Sequence, residues 1–170
     1  MPLFSELNKI VTGRYPSSGF VTEATTGSKT DLVDMARYGH CAWIVSFGTA
    51  TNSTFALTMY LEESANATPG SGVTHPFNYR LASGAFGSTN TEELGTLTLS
   101  TAGLTVGSGT SGANNRFYIV ELQNDELTDG YPFANLAFDG TTGIKAWNMS
   151  IVTVLSEPRY GGNDPMSAIV

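Results

Sequence analysis

The segment Ser53-Thr-Phe-Ala-Leu-Thr-Met-Tyr-Leu-Glu62 has a side-chain period of two. Its large apolar residues are Phe55, Leu57, Met59 and Leu61, so in an extended chain they all project from one face. Burying each of them contributes about 1.5–3 kcal/mol. Because a shift of one residue would expose the whole set, the register is strongly specified. The segment therefore predicts a β-strand that covers a core with one face.

A second run, Cys41-Ala-Trp-Ile-Val-Ser-Phe47, alternates in the same way and is joined to the first by Gly48 to Ser53, a turn-rich connection of hairpin length. Further strand-like runs, separated by turn residues, are 31–35, 76–82, 94–100, 104–106, 116–123, 132–138 and 145–156. Many short strands without interleaved helices predict an all-β fold. Their long, uneven connections favour a jelly-roll-like β-sandwich of about eight strands over an up-and-down barrel.

The chain divides into an N-terminal arm, residues 1–30, a β-sandwich domain, residues 31–158, and an extended C-terminal tail, residues 159–170. Within the arm, Phe4 to Val11 has apolar residues at helix-like spacing and Ser5 as a candidate N-cap. A helix this short is marginal unless it packs on something. We therefore expect a short helical or extended arm that needs a packing partner.

The tail ends on an apolar tip, Ala168-Ile-Val170, beyond a stem that contains Pro158, Pro165 and two glycines. The prolines limit regular strand pairing, and the glycines permit sharp bends. Two arrangements fit such a segment. It can fold back over an edge of its own sheet, or it can dock on a neighbouring subunit. The residues favour the two arrangements about equally.

Charge excludes several classes of partner. The net charge is −7, and the eight Lys and Arg residues are spread along the whole chain. No basic cluster could neutralise a run of phosphates, which argues against nucleic-acid binding and against an anionic membrane surface. No apolar run approaches the roughly 20 residues that span a bilayer. A single cysteine excludes an internal disulfide.

No group of residues has the pattern of a catalytic or metal site. His40 and Cys41 are adjacent, so in a strand they project to opposite faces and cannot act as a nucleophile and its base. The two histidines lack metal-ligand spacing. The acidic stretch 124–130 lacks the spaced ligands of a calcium loop and predicts a solvated turn. We expect a non-enzymatic protein without a cofactor or metal.

Four segments carry a resemblance to a known family: DLVDMARYGH at 31–40, HPFNYRLA at 75–82, FYIVELQNDELTDGYPFANLAF at 117–138 and VLSEPRYGGNDPMSAIV at 154–170. Their order, with an acidic turn and a PRY stem before a short apolar end, resembles the capsid decoration (cement) proteins of tailed bacteriophages. The resemblance implies a β-sandwich on the outer surface of the capsid, often a homotrimer, that binds the major capsid protein and locks neighbouring capsomers together. It implies no catalytic residues.

We therefore expect a virion structural protein whose partner contacts come from both ends of the chain: Leu3, Phe4, Leu7, Arg159, Tyr160, Ile169 and Val170. A negative domain suits the capsid exterior better than the DNA-filled interior. Two alternatives remain. The protein could be a tail, baseplate or head-fibre component. It could also be a carbohydrate-binding module that uses exposed aromatic residues, for which the candidates are Tyr15, Phe20, Tyr60, Phe77, Tyr79 and Tyr131.

Overall fold

The computed structural model describes residues 4, 8–14, 21–22, 28–50, 56–68, 72–82, 93–108, 116–140 and 146–159. Strands account for most of them. They are β1 (Lys9–Arg14), β2 (Val21–Thr22), β3 (Ser28–Lys29), β4 (Val33–Asp34), β5 (Tyr38–Ala50), β6 (Ala56–Ser64), β7 (Val73–His75), β8 (Phe77–Leu81), β9 (Thr98–Ser100), β10 (Leu104–Ser108), β11 (Phe117–Gln123), β12 (Phe133–Gly140) and β13 (Ala146–Pro158).

Two antiparallel sheets make up the fold. The first has the order β1-β13-β5-β11-β8-β9, with β2 also paired to β13. The second has the order β10-β6-β12-β3, with β4 on β12 and β7 on β6. Along the chain, β5, β6, β8, β10, β11, β12 and β13 alternate between the sheets, as in a jelly-roll-like sandwich. The all-β sandwich expected from the sequence is confirmed.

The core lies between the two sheets, and the alternation read from the sequence places its side chains correctly. On β5, Cys41, Trp43, Val45 and Phe47 are buried. Their counterparts on β6 are Leu57, Met59 and Leu61, also buried. Phe47 meets the rings of Tyr118 and Phe138 edge to face, at centroid distances of 5.8 and 6.4 Å. Since β12 belongs to the second sheet, this cluster ties the sheets together.

The number and length of the strands differ from expectation. Among the described residues, eight of the thirteen strands have five residues or more, and the other five have two or three. The connection between β5 and β6 carries the chain from the first sheet to the second, so these strands do not form a hairpin. The strands of two or three residues form because each pairs with a longer strand, and they are too short to show a periodic pattern in the sequence.

The expected helix over Phe4 to Val11 is wrong for its second half. The Asn8 N–H donates to the Phe4 carbonyl at 3.0 Å, which is the spacing of a helical hydrogen bond. From Lys9 the chain is strand β1, paired with β13. Ile10 and Val11 are β-branched, and β13 offers them a ladder of hydrogen bonds, so strand pairing prevails over a marginal helix. Val11 then packs against the core.

Candidate partner-binding surfaces

Strand β1 begins and strand β13 ends at the same end of the first sheet. On the antiparallel pair β1–β13, Lys9 lies opposite Leu155. On the pair β13–β5, Pro158 lies opposite Tyr38. The segment before Asn8 and the segment after residue 159 therefore start close together. We call this region the arm end and define it as residues 35–40, 123–127 and 156–159, with Asn8.

Hydrogen bonds fix the root of the tail on the sandwich. The Arg159 N–H donates to the Arg37 carbonyl at 2.9 Å. In the orientation that satisfies both ends of its amide, the Asn124 side chain donates to the Met35 carbonyl at 2.8 Å and accepts from Arg159 Nη2 and Nη1 at 3.0 and 3.1 Å. Asn124 thus joins two turns to the tail. These contacts fix the position of Arg159 on the sandwich.

The two turns that hold Arg159 are themselves braced. Arg37 Nε donates to Asp34 Oδ2 at 2.9 Å, and the other carboxylate oxygen of Asp34 accepts from the Ala36 N–H at 3.1 Å. In the acidic turn, Glu126 Oε2 accepts from the Gln123 N–H at 2.8 Å, as in a capping box. Asp34 is buried, whereas Glu126 is exposed. Each of the two turns is therefore held by a side-chain hydrogen bond of its own.

The backbone of Glu157, in the arm end, is strained. Its φ is 56°, the only positive value of a non-glycine residue in the described part of the chain, and left-handed backbone costs about 1–2 kcal/mol for an L-residue. Gly39 lies against it: a Cβ on Gly39 would be 2.7 Å from Glu157 Oε2 and 2.9 Å from Glu157 Cβ. Beside them is a cleft of about 420 Å³, whose lining includes Asp125 and Arg159.

His40 and Cys41 do not form a catalytic pair. Cys41 lies in the core, where burial raises the pKa of its thiol well above the usual value. On the outer face, His40 Nδ1 is 2.9 Å from Ser156 Oγ, and His40 Nε2 is 3.7 Å from Glu121 Oε1. The prediction that the two side chains project to opposite faces is confirmed.

A buried polar pair was missed by the sequence analysis. Glu63 is 5% exposed. Its Oε2 accepts from the Thr128 N–H at 2.9 Å and lies 3.2 Å from His75 Nδ1. The neighbouring Glu62 instead meets Lys29 Nζ at 2.6 Å. The signal was present, because Glu63 continues the inward phase of β6. Glu63 thus joins β6 to His75 of β7 and to Thr128 in the acidic stretch 124–130.

The outward face of the first sheet carries an apolar strip. Ile44 of β5 lies opposite both Ile119 of β11 and Val152 of β13. One row further, Val154 lies opposite Ile10 of β1, which is 52% exposed. The other four side chains are half-buried. We call these five residues the outer strip. A contiguous apolar area on an outward sheet face is typical of an interaction surface.

The candidate contact residues divide between described and undescribed parts of the chain. Phe4 is 60% exposed, and Arg159 is exposed at the arm end. The rest lie outside the described residues: Leu3, Leu7, Tyr160, Ile169 and Val170. Of the aromatic candidates for glycan binding, Phe77 is buried, Tyr60, Tyr79 and Tyr131 are half-buried, and Tyr15 and Phe20 lie outside the described residues.

Neither a metal cluster nor a membrane helix is found in the described ranges. No group of three or more His, Cys, Asp and Glu side chains there could hold a metal ion. In the same ranges, no helix has the length and apolar character needed to cross a membrane. The acidic turn, residues 124–126, is a single turn of 3₁₀ helix with no buried residue.

No protein-family model matches the chain, and no curated protein matches its sequence. Among solved structures, the chain is similar to the SPBc2 prophage-derived protein YomS, with a TM-score of 0.40 and 10% sequence identity. The match covers 87% of this chain and 91% of that chain. This identity is too low to carry a function from that protein to this one.

Proposed function

We propose that this chain is a non-enzymatic structural protein of a tailed-phage virion, which binds the outer surface of the capsid and joins neighbouring major capsid protein subunits. The observation that carries the proposal is that β1 begins and β13 ends side by side at the arm end. The resemblance of four segments to capsid decoration proteins supports the capsid as the partner. The net charge of −7 favours the exterior over the DNA-filled interior.

The mechanism is additive contact. Two segments that leave a folded sandwich side by side can each bind a different neighbouring subunit while the sandwich itself stays intact. Because Arg159 is tied to Asn124 and to Arg37, the first residue of the tail is already oriented. Binding by one segment raises the effective concentration of the other, so modest individual affinities become sufficient on a repeated lattice.

The outer strip is the surface that we assign to self-association, with a homotrimer as the expected assembly. Each copy carries a charge of −7, so copies repel one another. The outer strip contains no charged residue, and burial of apolar area contributes roughly 25 cal/mol per Å². Copies that meet there gain apolar burial, with Arg80 opposite Ile119 and Glu121 opposite Ala42 at the border of the strip.

The capsid contact is tested by removing residues 159–170 and measuring co-sedimentation with undecorated expanded capsids. We expect binding to fall at least about tenfold, which corresponds to 1.4 kcal/mol, while the melting temperature stays within a few degrees. The control keeps the composition of the tail but scrambles residues 166–170. Unchanged stoichiometry for the truncated chain would exclude the tail as a capsid contact.

The self-association surface is tested by Ile44→Glu, with mass in solution as the readout. We expect the assembly to dissociate to monomers, because a carboxylate in an apolar interface is left unpaired. Thr58→Glu is the matched control, since Thr58 is also half-buried and faces outward, but on β6 of the second sheet. Equal masses for both variants would exclude the outer strip.

The position on the virion is tested by electron microscopy of particles that carry a labelled copy of the chain. Label over the whole head is the expected result. Label confined to the tail, the baseplate or a fibre would replace the capsid with one of those structures as the partner. The arm end and the outer strip would then contact proteins of that structure.

A further inference from the structure

A second cleft, of about 280 Å³, lies on the side of the first sheet away from β1, where β8 pairs with β9. Tyr79 lies opposite Thr98, just as buried Phe77 lies opposite buried Ser100. These side chains share the core-facing side of the sheet, yet Thr98 is exposed and Tyr79 is half-buried. The core-facing side of the sheet is therefore open at this position.

One residue in the lining of the cleft is a cation, Arg116. Arg116 lines it and forms no ion pair within the described ranges. Burial raises the pKa of Tyr118 to about 12, and the nearby charge of Arg116 acts in the opposite direction. Arg80 Nη1 donates to the carbonyl of Gly95, another lining residue, at 3.1 Å. Arg80 itself lies between the core-facing Tyr79 and Leu81 on β8, so its side chain is on the outward face, and Arg116 is the basic residue of the lining.

The remaining wall combines apolar side chains, from Tyr79, Leu81 and Ala82, with two threonines. The Tyr79 ring is fixed by tilted contacts with Phe77 and Tyr118, at centroid distances of 6.2 and 6.4 Å. The hydroxyl of Thr98 donates to the Thr96 carbonyl at 3.1 Å, and both threonines line the cleft. An aromatic ring offers an apolar face to the C–H groups of a sugar. The volume of about 280 Å³ is slightly below the usual range for ligand pockets, about 300–1,000 Å³.

We infer that this cleft binds a carboxylate-bearing pyranose, such as a hexuronate unit of an acidic glycan. The carboxylate pairs with the Arg116 guanidinium, which can bind both oxygens. The sugar ring lies on Tyr79, and ring hydroxyls reach the Thr96 and Thr98 hydroxyls. The site is separate from the arm end and from the outer strip, so it does not depend on the proposed function.

The test is a titration of the isotope-labelled full chain, followed by amide chemical shifts, with glucuronate, glucose and acetate as probes at constant ionic strength. Glucuronate is expected to saturate and to shift the amides of Gly95, Thr96, Thr98 and Arg116. Glucose lacks the carboxylate and acetate lacks the ring, so each should bind at least about tenfold more weakly. Absence of saturation, shifts located elsewhere, or equal binding of acetate or glucose would overturn the inference.

Two variants test the ionic contact. Arg116→Gln should weaken glucuronate binding at least about tenfold, whereas Lys9→Gln makes the same charge change on β1, at the other edge of the sheet, and should leave it unchanged. Thr98→Glu places a negative charge at an exposed position of the cleft and should also weaken binding. This variant keeps the inference testable if Arg116→Gln does not fold. Full glucuronate binding by a folded variant of either kind would refute the contact.

Discussion

At the centre of the sandwich, Trp43, Phe47 and Leu61 lie buried in the apolar core. At the arm end, by contrast, the chain is held by hydrogen bonds around Asn124 and contains a residue with strained backbone, Glu157. Burial of large side chains stabilises the fold without directing any segment outward. Hydrogen bonds add little net free energy each, but they fix direction. Stability and the proposed partner contacts are thus assigned to different residues, and substitutions should separate them.

The largest expected effect is at the centre. Phe47→Ala removes the ring that joins Tyr118 to Phe138, and it should lower the free energy of unfolding by about 3–5 kcal/mol. Phe4→Ala is the matched control, because Phe4 is 60% exposed, and it should change stability by less than about 0.5 kcal/mol. Urea unfolding measures both. Similar losses for the two variants would contradict the core assigned to β5.

A second effect concerns a polar group inside the core. The Tyr118 hydroxyl donates to the Val106 carbonyl at 3.0 Å, and burial raises its pKa to about 12 from 10.0. The folded state therefore favours the neutral phenol, so this contribution is complete below pH 10 and is lost as the pH rises through 12. Urea unfolding should show a loss of up to about 2–3 kcal/mol. Tyr118→Phe should flatten that decline, and an unchanged pH profile would exclude Tyr118 as its source.

A smaller change in stability is expected at the arm end. Gly39→Ala places a Cβ within 3 Å of Glu157, and overpacking of this kind costs about 1–3 kcal/mol. Combining it with Glu157→Gly removes the contacting side chain and should recover at least half of the loss. Thermal unfolding of the two single variants and the double variant completes the cycle. Strict additivity would show that Gly39 and Glu157 do not interact.

The smallest effect is a gain. Glu157→Gly relieves the left-handed backbone but adds conformational entropy to the unfolded chain, so the net gain in stability should be at most about 1 kcal/mol. Glu157→Val should instead lower stability by about 1 kcal/mol or more, because a β-branched residue tolerates positive φ poorly. Urea unfolding of this pair is the measurement. A loss of stability for Glu157→Gly would show that its side chain holds the arm end.

Most of the sandwich could be read from the sequence, because the period of two is local information. The runs that predicted β5, β6, β11 and β13 agree with the observed strands within a few residues. Strand β1 was missed because its partner, β13, is far away along the chain, and residues before Val11 also fit a helical spacing. Burial of Glu63 could have been predicted from its phase.

The arm end was only partly predictable. Arg159 was proposed from its place in the tail stem, and the structure puts it at the root of the tail. Asn124, Gly39 and Glu157 gave no signal, because their roles arise where three distant segments meet. The same holds for the Arg116 cleft, where β8, β9 and the residue before β11 meet. Tyr79 is among the aromatic candidates from the sequence, but nothing in the sequence places Thr98 and Arg116 beside it.

The position of β13 between β1 and β5 governs when the first sheet can be completed. Lys9 cannot meet Leu155 until residue 155 has been synthesised. Closing so long a loop is entropically costly, and topologies rich in such pairs fold slowly. Until then, the apolar faces of β5 and β6 stay partly exposed. Exposed apolar surface of this kind is bound by chaperones and leads to aggregation. Completion of the first sheet is therefore expected to limit the folding rate.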